Sequence, residues 1–208
     1  MDREFLHEEL AHDLSEHTGK TIVMCGCGAI GSNLAESLAR RGFSKFVLVD
    51  YDKVERHNIS TQVWTQMDIG KSKTVVLSNR LFLATRAQAI AVTTRIDHPG
   101  DMSDITDRFC DSGSLIIDSF DNSESRSHTI GCHPNVMHVG LSGEGTAEIA
   151  WDENYALPPD VILPDPCAYP MSRSLIEAAV ATAGAETVRF FLEGGGRKTA
   201  TVITVREP

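Results

Sequence analysis

The segment Gly26-Cys27-Gly28-Ala29-Ile30-Gly31 constrains this chain more than any other stretch. It follows the apolar run Thr21–Cys25 and opens a helix-like stretch from Ala29 to Arg41. A second apolar run, Phe46–Val49, ends in Asp50. Strand, glycine turn, helix, strand and acid, in that order, form a nucleotide-binding βαβ unit. The glycines permit a tight turn and let N–H groups at a helix start reach phosphates, while an acid roughly 20 residues on can hold a ribose. By itself this unit favours a nicotinamide dinucleotide.

With 208 residues, 41% apolar and 23% charged, the chain suits one large α/β domain. No apolar run approaches the roughly 18–20 residues of a membrane span. Met1-Asp-Arg-Glu4 lacks the basic-then-apolar layout of a secretion signal, so a cytoplasmic protein is expected. The net charge of −10 disfavours nucleic acid and anionic membranes as partners, yet leaves room for a local basic pocket. The five cysteines form no paired C-x-x-C sets, so neither structural zinc nor a disulfide framework is expected. Cys25 and Cys27 are read as packing or backbone residues beside the glycine loop.

The spacing of Phe5, Leu6, Leu10 and Leu14 predicts a weakly amphipathic helix over 2–17. A nucleotide-binding core then runs from 20 to 135. Within it lie an irregular segment (51–68), a helix (70–86), a strand (89–96) and a short helix (101–109). The apolar Ser114–Ile117 is a buried strand that delivers Asp118 and Asp121 to its C-terminal end, where open α/β sheets bind ligands. Helix over 122–132 and strands over 136–141 and 146–151 follow. The proline-rich 152–171 reads as a crossover loop, since long loops in compact domains tend to be functional. An alanine-rich helix (173–193) and a β-branched strand (199–205) close the chain, giving a doubly wound, mostly parallel sheet with an antiparallel portion in its last third.

Further polar residues recur in a fixed order: Asp50-Tyr-Asp52, Val54, Asn58-Ile-Ser-Thr61-Gln62, Gly70-Lys-Ser-Lys73 and Asp121-Asn122-Ser-Glu-Ser-Arg126. Singly, each has a plain explanation. Asp52 could cap a turn, Lys73 could be a solvated helix lysine, and Asn58 and Gln62 could be turn residues. Asp121-Asn122 could start a helix, with Arg126 a surface charge. Their joint order outweighs these separate readings. Over about residues 20 to 130 the chain resembles the ThiF/MoeB/HesA family, relatives of the ubiquitin-activating enzymes. The family pattern is G-x-G-x-x-G, D-x-D-x-V-x-x-x-N-x-x-R-Q, G-x-x-K and D-N-x-x-x-R.

The resemblance implies adenylation, in which ATP and a protein's C-terminal carboxylate give an acyl-adenylate and pyrophosphate. Such chemistry needs backbone donors, a cation and a metal around the α-phosphate. Carried over by position, Gly26, Gly28, Ala29, Ile30 and Gly31 would cradle ATP, with Asp50 on the ribose and Asp52 beside it. Lys73 would neutralise phosphate charge and Asp121 would help hold Mg²⁺. Asn58 and Gln62, one helical turn apart, would face the phosphates. The implied partner is a small ubiquitin-like or sulfur-carrier protein ending in Gly-Gly, and the implied assembly is a homodimer. Cys167, in Pro164-Asp-Pro-Cys167-Ala-Tyr169, lies in the loop that carries a thioester-forming cysteine in several relatives; a half-buried structural thiol is the alternative. Cys110 and Cys132 are read as core thiols.

The sequence departs from the family pattern at Thr61, which stands where the pattern has arginine; threonine cannot replace that forked charge. Arg3, Arg56 and Arg80 are the substitutes considered. Three other functions share parts of this pattern. A tRNA threonylcarbamoyladenosine dehydratase is disfavoured by the charge, and an NAD-dependent oxidoreductase leaves Asn58, Gln62, Lys73 and Asp121 unused. A non-catalytic partner subunit would explain Thr61. Among the histidines, His7, His12 and His17 are expected to spread around a helix, and His128, His133 and His138 to be ordinary core or surface groups. Trp64 and Trp151 are read as core or interface residues.

Overall fold

Thr21–Cys25 forms the central strand, β1, and its apolar side chains point alternately to two different cores. Ile22 and Met24 join the larger core, while Val23 and Cys25 join the smaller. Such two-sided burial is what a run without polar alternation requires of a parallel strand. The computed structural model describes residues 4–159, 169–195 and 200–205. Its seven strands are β1, β2 (Lys45–Val49), β3 (Gln88–Val92), β4 (Leu115–Asp118), β5 (Val136–Ser142), β6 (Thr146–Trp151) and β7 (Thr201–Thr204). They lie in the order β3-β2-β1-β4-β5-β6-β7.

The first five strands pair in parallel; β6 and β7 add antiparallel to the far edge. The expected doubly wound sheet with an antiparallel last third is therefore present. The chain winds outward through β2 and β3, then returns to place β4 on the other side of β1. That reversal opens a crevice beyond the carboxyl ends of β1 and β4, the position where such sheets take ligands.

The helices are α1 (Leu6–Ala11), α2 (Ala29–Arg40), α3 (Lys73–Thr85), α4 (Pro99–Phe109), α5 (Ser123–Ser127) and α6 (Arg173–Leu192). Helices α2, α3 and α6 cover the larger core, and α4 the smaller. Leu34 and Leu38, one turn apart on α2, are fully buried, and each contributes about 1.5–3 kcal/mol by leaving water. Trp64 and Trp151 are both core residues, and the Trp151 indole N–H donates to Glu186 at 2.7 Å. Among the described residues no helix is long and apolar enough to cross a membrane.

Three sequence expectations need correction. The N-terminal helix stops at Ala11 instead of reaching 17, because Asp13 accepts the Ser15 N–H (2.9 Å) and starts a separate 3₁₀ turn, Leu14–Glu16. Helix α3 starts at Lys73, since Gly70 and Lys71 are held to the preceding segment: the Gly70 N–H donates to Val54 O and Lys71 O accepts from Val54 N–H. Helix α5 ends at Ser127 instead of continuing to 132, because the His128 and Thr129 N–H groups bond only three residues back, to Ser125 O and Arg126 O, and Gly131 takes φ +69°.

The early turn also brings two histidines together that helical spacing would have separated. The His12 and His17 rings lie 5.4 Å apart, and His17 stacks on Phe43 at 4.3 Å. His17 is fully buried and its Nε2 meets the Arg41 carbonyl at 3.1 Å. Burial holds its imidazolium form down, so its pKa lies below the usual 6.5. The unfolded chain then takes up a proton near pH 6.5 that the folded chain refuses, so stability falls as pH drops below that point. Denaturant midpoints should be lower at pH 5.5 than at pH 7.5. His17→Phe, which keeps the ring stack, should shrink the difference; an undiminished difference would assign it to other histidines.

Candidate active site

The glycine loop is wedged between the ends of three strands. The Gly26 N–H donates to Val49 O at 2.8 Å on β2, and Ser119, just after β4, donates its N–H to Cys25 O at 2.8 Å. The Ser119 hydroxyl contacts both Cys25 O and Gly26 O at 3.0 Å. Gly26 has φ +87°, and a Cβ there would sit 2.9 Å from Ser119 O. A Cβ on Gly31 would lie 1.9 Å from Gly26 O, so helix and loop meet at a distance only glycine allows.

Gly28 is different, because a Cβ there would meet nothing within 4 Å. It is the N-cap of α2, and no side chain caps the helix. The first-turn N–H groups at Ala29, Ile30 and Gly31 thus lack a capping side chain, at the positive end of a 12-residue helix. The open space over Gly28 gives an anionic ligand a route to them.

Asp50 directly follows β2 beside this loop and is nearly buried. Its Oδ2 accepts the Cys27 N–H at 2.7 Å and its Oδ1 the Asp52 N–H at 2.8 Å. Burial pushes its carboxyl pKa up, against the pull of Lys73 and these N–H donors. Lys73, the first residue of α3, reaches back 21 positions to hold Asp52 Oδ2 at 2.8 Å. Burial alone would lower the ammonium pKa, but Asp50, Asp52 and Asp121 together raise it. Lys73 is thus paired with Asp52 and lies within electrostatic reach of Asp50 and Asp121. Cys27 is buried beside Asp50 with its thiol pKa pushed well up by burial, which suits a packing residue.

The end of β4 divides its two acids. Asp121 is exposed, and Asn122 caps α5 by accepting the Ser125 N–H at 2.8 Å. Asp118 instead turns inward and is fully buried. Its Oδ2 meets His138 Nδ1 at 2.8 Å, and the opposite ring nitrogen, Nε2, meets Asp152 Oδ1 at 2.9 Å. Tyr155 stacks on the His138 ring at 3.7 Å. Arg126, far from being a surface charge, is buried here. It donates to Phe120 O at 2.6 Å, Val139 O at 2.9 Å and the Tyr155 hydroxyl at 3.1 Å, with Asp118 Oδ2 at 3.6 Å. This network braces the turn that carries Asp121 and the start of the segment after β6.

Asn58 and Gln62 sit on the 3₁₀ turn Arg56–Ser60 and just after it, with the Gln62 N–H on Asn58 O at 2.9 Å. Their side chains also have local partners. Asn58 Oδ1 accepts the Glu55 N–H at 2.9 Å, and Gln62 Oε1 accepts the Trp64 indole N–H at 2.6 Å. Of the considered replacements for an arginine at 61, Arg80 is bound to Glu36 of α2, Arg56 is exposed, and Arg3 lies outside the described residues. Cys167 also lies outside them. An arginine not considered from the sequence, Arg173, reaches Thr61 O at 3.3 Å and Asn33 Oδ1 at 3.1 Å. Nothing local in the sequence signals this contact, which spans 112 positions.

Cys110 and Cys132 are partly buried, and desolvation pushes their thiols to about 11 and about 12. His133 Nε2 meets Asp111 O at 3.0 Å. Among the described residues no group of three or more His, Cys, Asp or Glu side chains could hold a metal ion by itself.

A family model described as the ThiF family matches residues 4–132. A tRNA threonylcarbamoyladenosine dehydratase of Haemophilus influenzae is 32% identical over 120 residues, covering 57% of this chain and 45% of that protein. Ubiquitin-like modifier-activating enzyme 5 of Drosophila virilis is 26% identical over 160 residues, covering 73% of this chain and 40% of the relative. The chain thus spans less than half the length of these curated relatives. Two solved structures share its fold at low identity. Escherichia coli MccB with ATP superposes with a TM-score of 0.73 at 16% identity, covering 99% of this chain and 68% of that one. The E. coli tRNA N6-threonylcarbamoyladenosine dehydratase with AMP gives 0.74 at 14%, covering 92% and 95%. With a family match over more than half its length and a fold to suit, the chain belongs to the ThiF family.

Proposed function

We propose that this protein is an ATP-dependent adenylyltransferase that activates the C-terminal carboxylate of a small ubiquitin-like or sulfur-carrier protein ending in Gly-Gly. The observation that carries this reading is the gathering of Asp50, Asp52, Lys73 and Asp121 around a helix start without a capping side chain. Two structural neighbours, solved with ATP and with AMP, support an adenine nucleotide as the ligand.

In the proposed site the first-turn N–H groups of α2 bind phosphate oxygens, and Asp50 orients the ribose. Lys73 exchanges part of its contact with Asp52 for a phosphate oxygen. The carboxylate oxygen attacks the α-phosphorus, the bond to the bridging oxygen breaks, and pyrophosphate leaves with the electron pair. Asp121, exposed at the end of β4, is a hard oxygen donor suited to Mg²⁺, an ion often held by one or two carboxylates plus phosphate oxygens. Bound there, the ion would supply charge stabilisation for the leaving pyrophosphate. Asn58 and Gln62 would complete the phosphate side after releasing their local partners. A following step, attack of the Cys167 thiolate on the acyl carbon with release of AMP, would give a thioester. A homodimer working in the cytoplasm fits this reading.

A second reading has one specific observation in its favour, the dehydratase relative at 32% identity. There the carboxylate would be carried on tRNA. Exchange of labelled pyrophosphate into ATP separates the two. Exchange that requires a β-grasp protein with a free Gly-Gly carboxylate supports the first proposal, and the carboxamide form should be inert. Exchange stimulated only by threonylcarbamoyl-modified tRNA would replace it with the second.

A further inference from the structure

We infer that Arg173 supplies a phosphate-binding cation from the start of α6; this rests on the adenylation reading. The charge around the loop calls for one. Lys73 is already paired with Asp52 at 2.8 Å, whereas a nucleotide triphosphate brings several more negative charges. Arg56, on the Asn58 turn, is exposed, and three further arginines are committed to carboxylates or to the fold. Arg40 and Arg80 share Glu36, and Arg126 is buried against Asp118, Val139 O and Phe120 O.

Arg173 is held mainly by neutral acceptors. Its Nη1 donates to Thr61 O at 3.3 Å and its Nη2 to Asn33 Oδ1 at 3.1 Å, while its Nε meets Glu177, one turn along α6, at 3.0 Å. Asn33 is itself fixed to the loop helix, donating to Ala29 O at 2.7 Å and to Thr61 O at 2.9 Å. The guanidinium thus lies against the opening turns of α2 and against the residue where the family pattern places its arginine. About half of its side chain is exposed, so both terminal nitrogens can leave carbonyl acceptors for phosphate oxygens with little loss. A forked guanidinium from α6 would replace the charge that Thr61 lacks.

The test measures binding of ATP and of adenosine to the full chain by calorimetry. Arg173→Ala should weaken ATP about 10- to 100-fold, the range for losing a charge-assisted contact, and leave adenosine affinity unchanged. Restoring the pattern's arginine, as Thr61→Arg in the Arg173→Ala background, should recover at least about 10-fold in ATP affinity. Unchanged ATP affinity in Arg173→Ala, or parallel loss of adenosine and ATP, overturns the inference. If the wild-type chain binds ATP yet exchanges no pyrophosphate with any carboxylate substrate, the proposed activity fails while the role of Arg173 is still decided by binding. If it binds no ATP, both fail.

Discussion

Gly31→Ala should destabilise the fold by at least about 3 kcal/mol and abolish nucleotide binding, whereas Gly28→Ala should cost less than about 1 kcal/mol and abolish binding alone. The difference comes from what each new methyl group meets. At Gly31 it lies 1.9 Å from a backbone oxygen, Gly26 O, and that oxygen is pinned by the Ser119 hydroxyl. Relief would require moving the loop, and with it the junction of β1, β2 and β4. At Gly28 the methyl group meets no atom within 4 Å but stands on the approach to the proposed phosphate site. Denaturant titrations and ATP-binding isotherms on both variants check the contrast. Equal stability losses would mean the loop is not packed as described, and ATP binding by Gly28→Ala would move the nucleotide elsewhere.

Lys73→Ala is the second large effect. The Lys73 side chain is only 8% exposed and its ammonium pairs with Asp52 within electrostatic reach of Asp50, so its removal leaves Asp50 nearly buried without its main cation. We expect a loss of about 3 kcal/mol of stability, the scale for stripping one partner from a buried ion pair, and at least a roughly 100-fold loss of ATP affinity. Asp52→Asn removes only the half-exposed partner and should cost less than about 1 kcal/mol. The pH dependence carries a sign. Burial raises the Asp50 pKa above its ordinary 3.8, so the folded chain takes up its proton at a higher pH than the unfolded chain, and lowering the pH relieves the unpaired charge. The deficit of Lys73→Ala should therefore narrow between pH 7.5 and pH 5. A constant deficit would show that Asp50 does not depend on Lys73.

Features carried by neighbours in sequence were legible from it. Thr21–Cys25, the three glycines and Lys45–Val49 encode β1, the loop and β2 through local apolar runs and a turn chemistry that few folds tolerate. The family pattern assigns Lys73 and Asp52 to the nucleotide separately; their ion pair, across 21 positions, is not contained in it. The helix expected over 2–17 failed because the short side chain of Asp13 bonds its own backbone, a competition that apolar spacing does not register. The buried network failed for another reason. Asp118 and His138 are register partners on β4 and β5, and a pairing fixed by strand register has no signature at a separation of 20 residues. The same holds for Arg173, which only the docking of α6 on α2 brings to Thr61.

The most direct measurement is a paired calorimetric titration of the purified chain with ATP in the presence of Mg²⁺ and with NAD⁺. The account predicts saturable ATP binding that is lost in Lys73→Ala and Gly28→Ala, with NAD⁺ bound at least about 100-fold more weakly. Tight NAD⁺ binding beside indifference to ATP would contradict it, because the lysine and acids gathered around the loop would then serve some other chemistry.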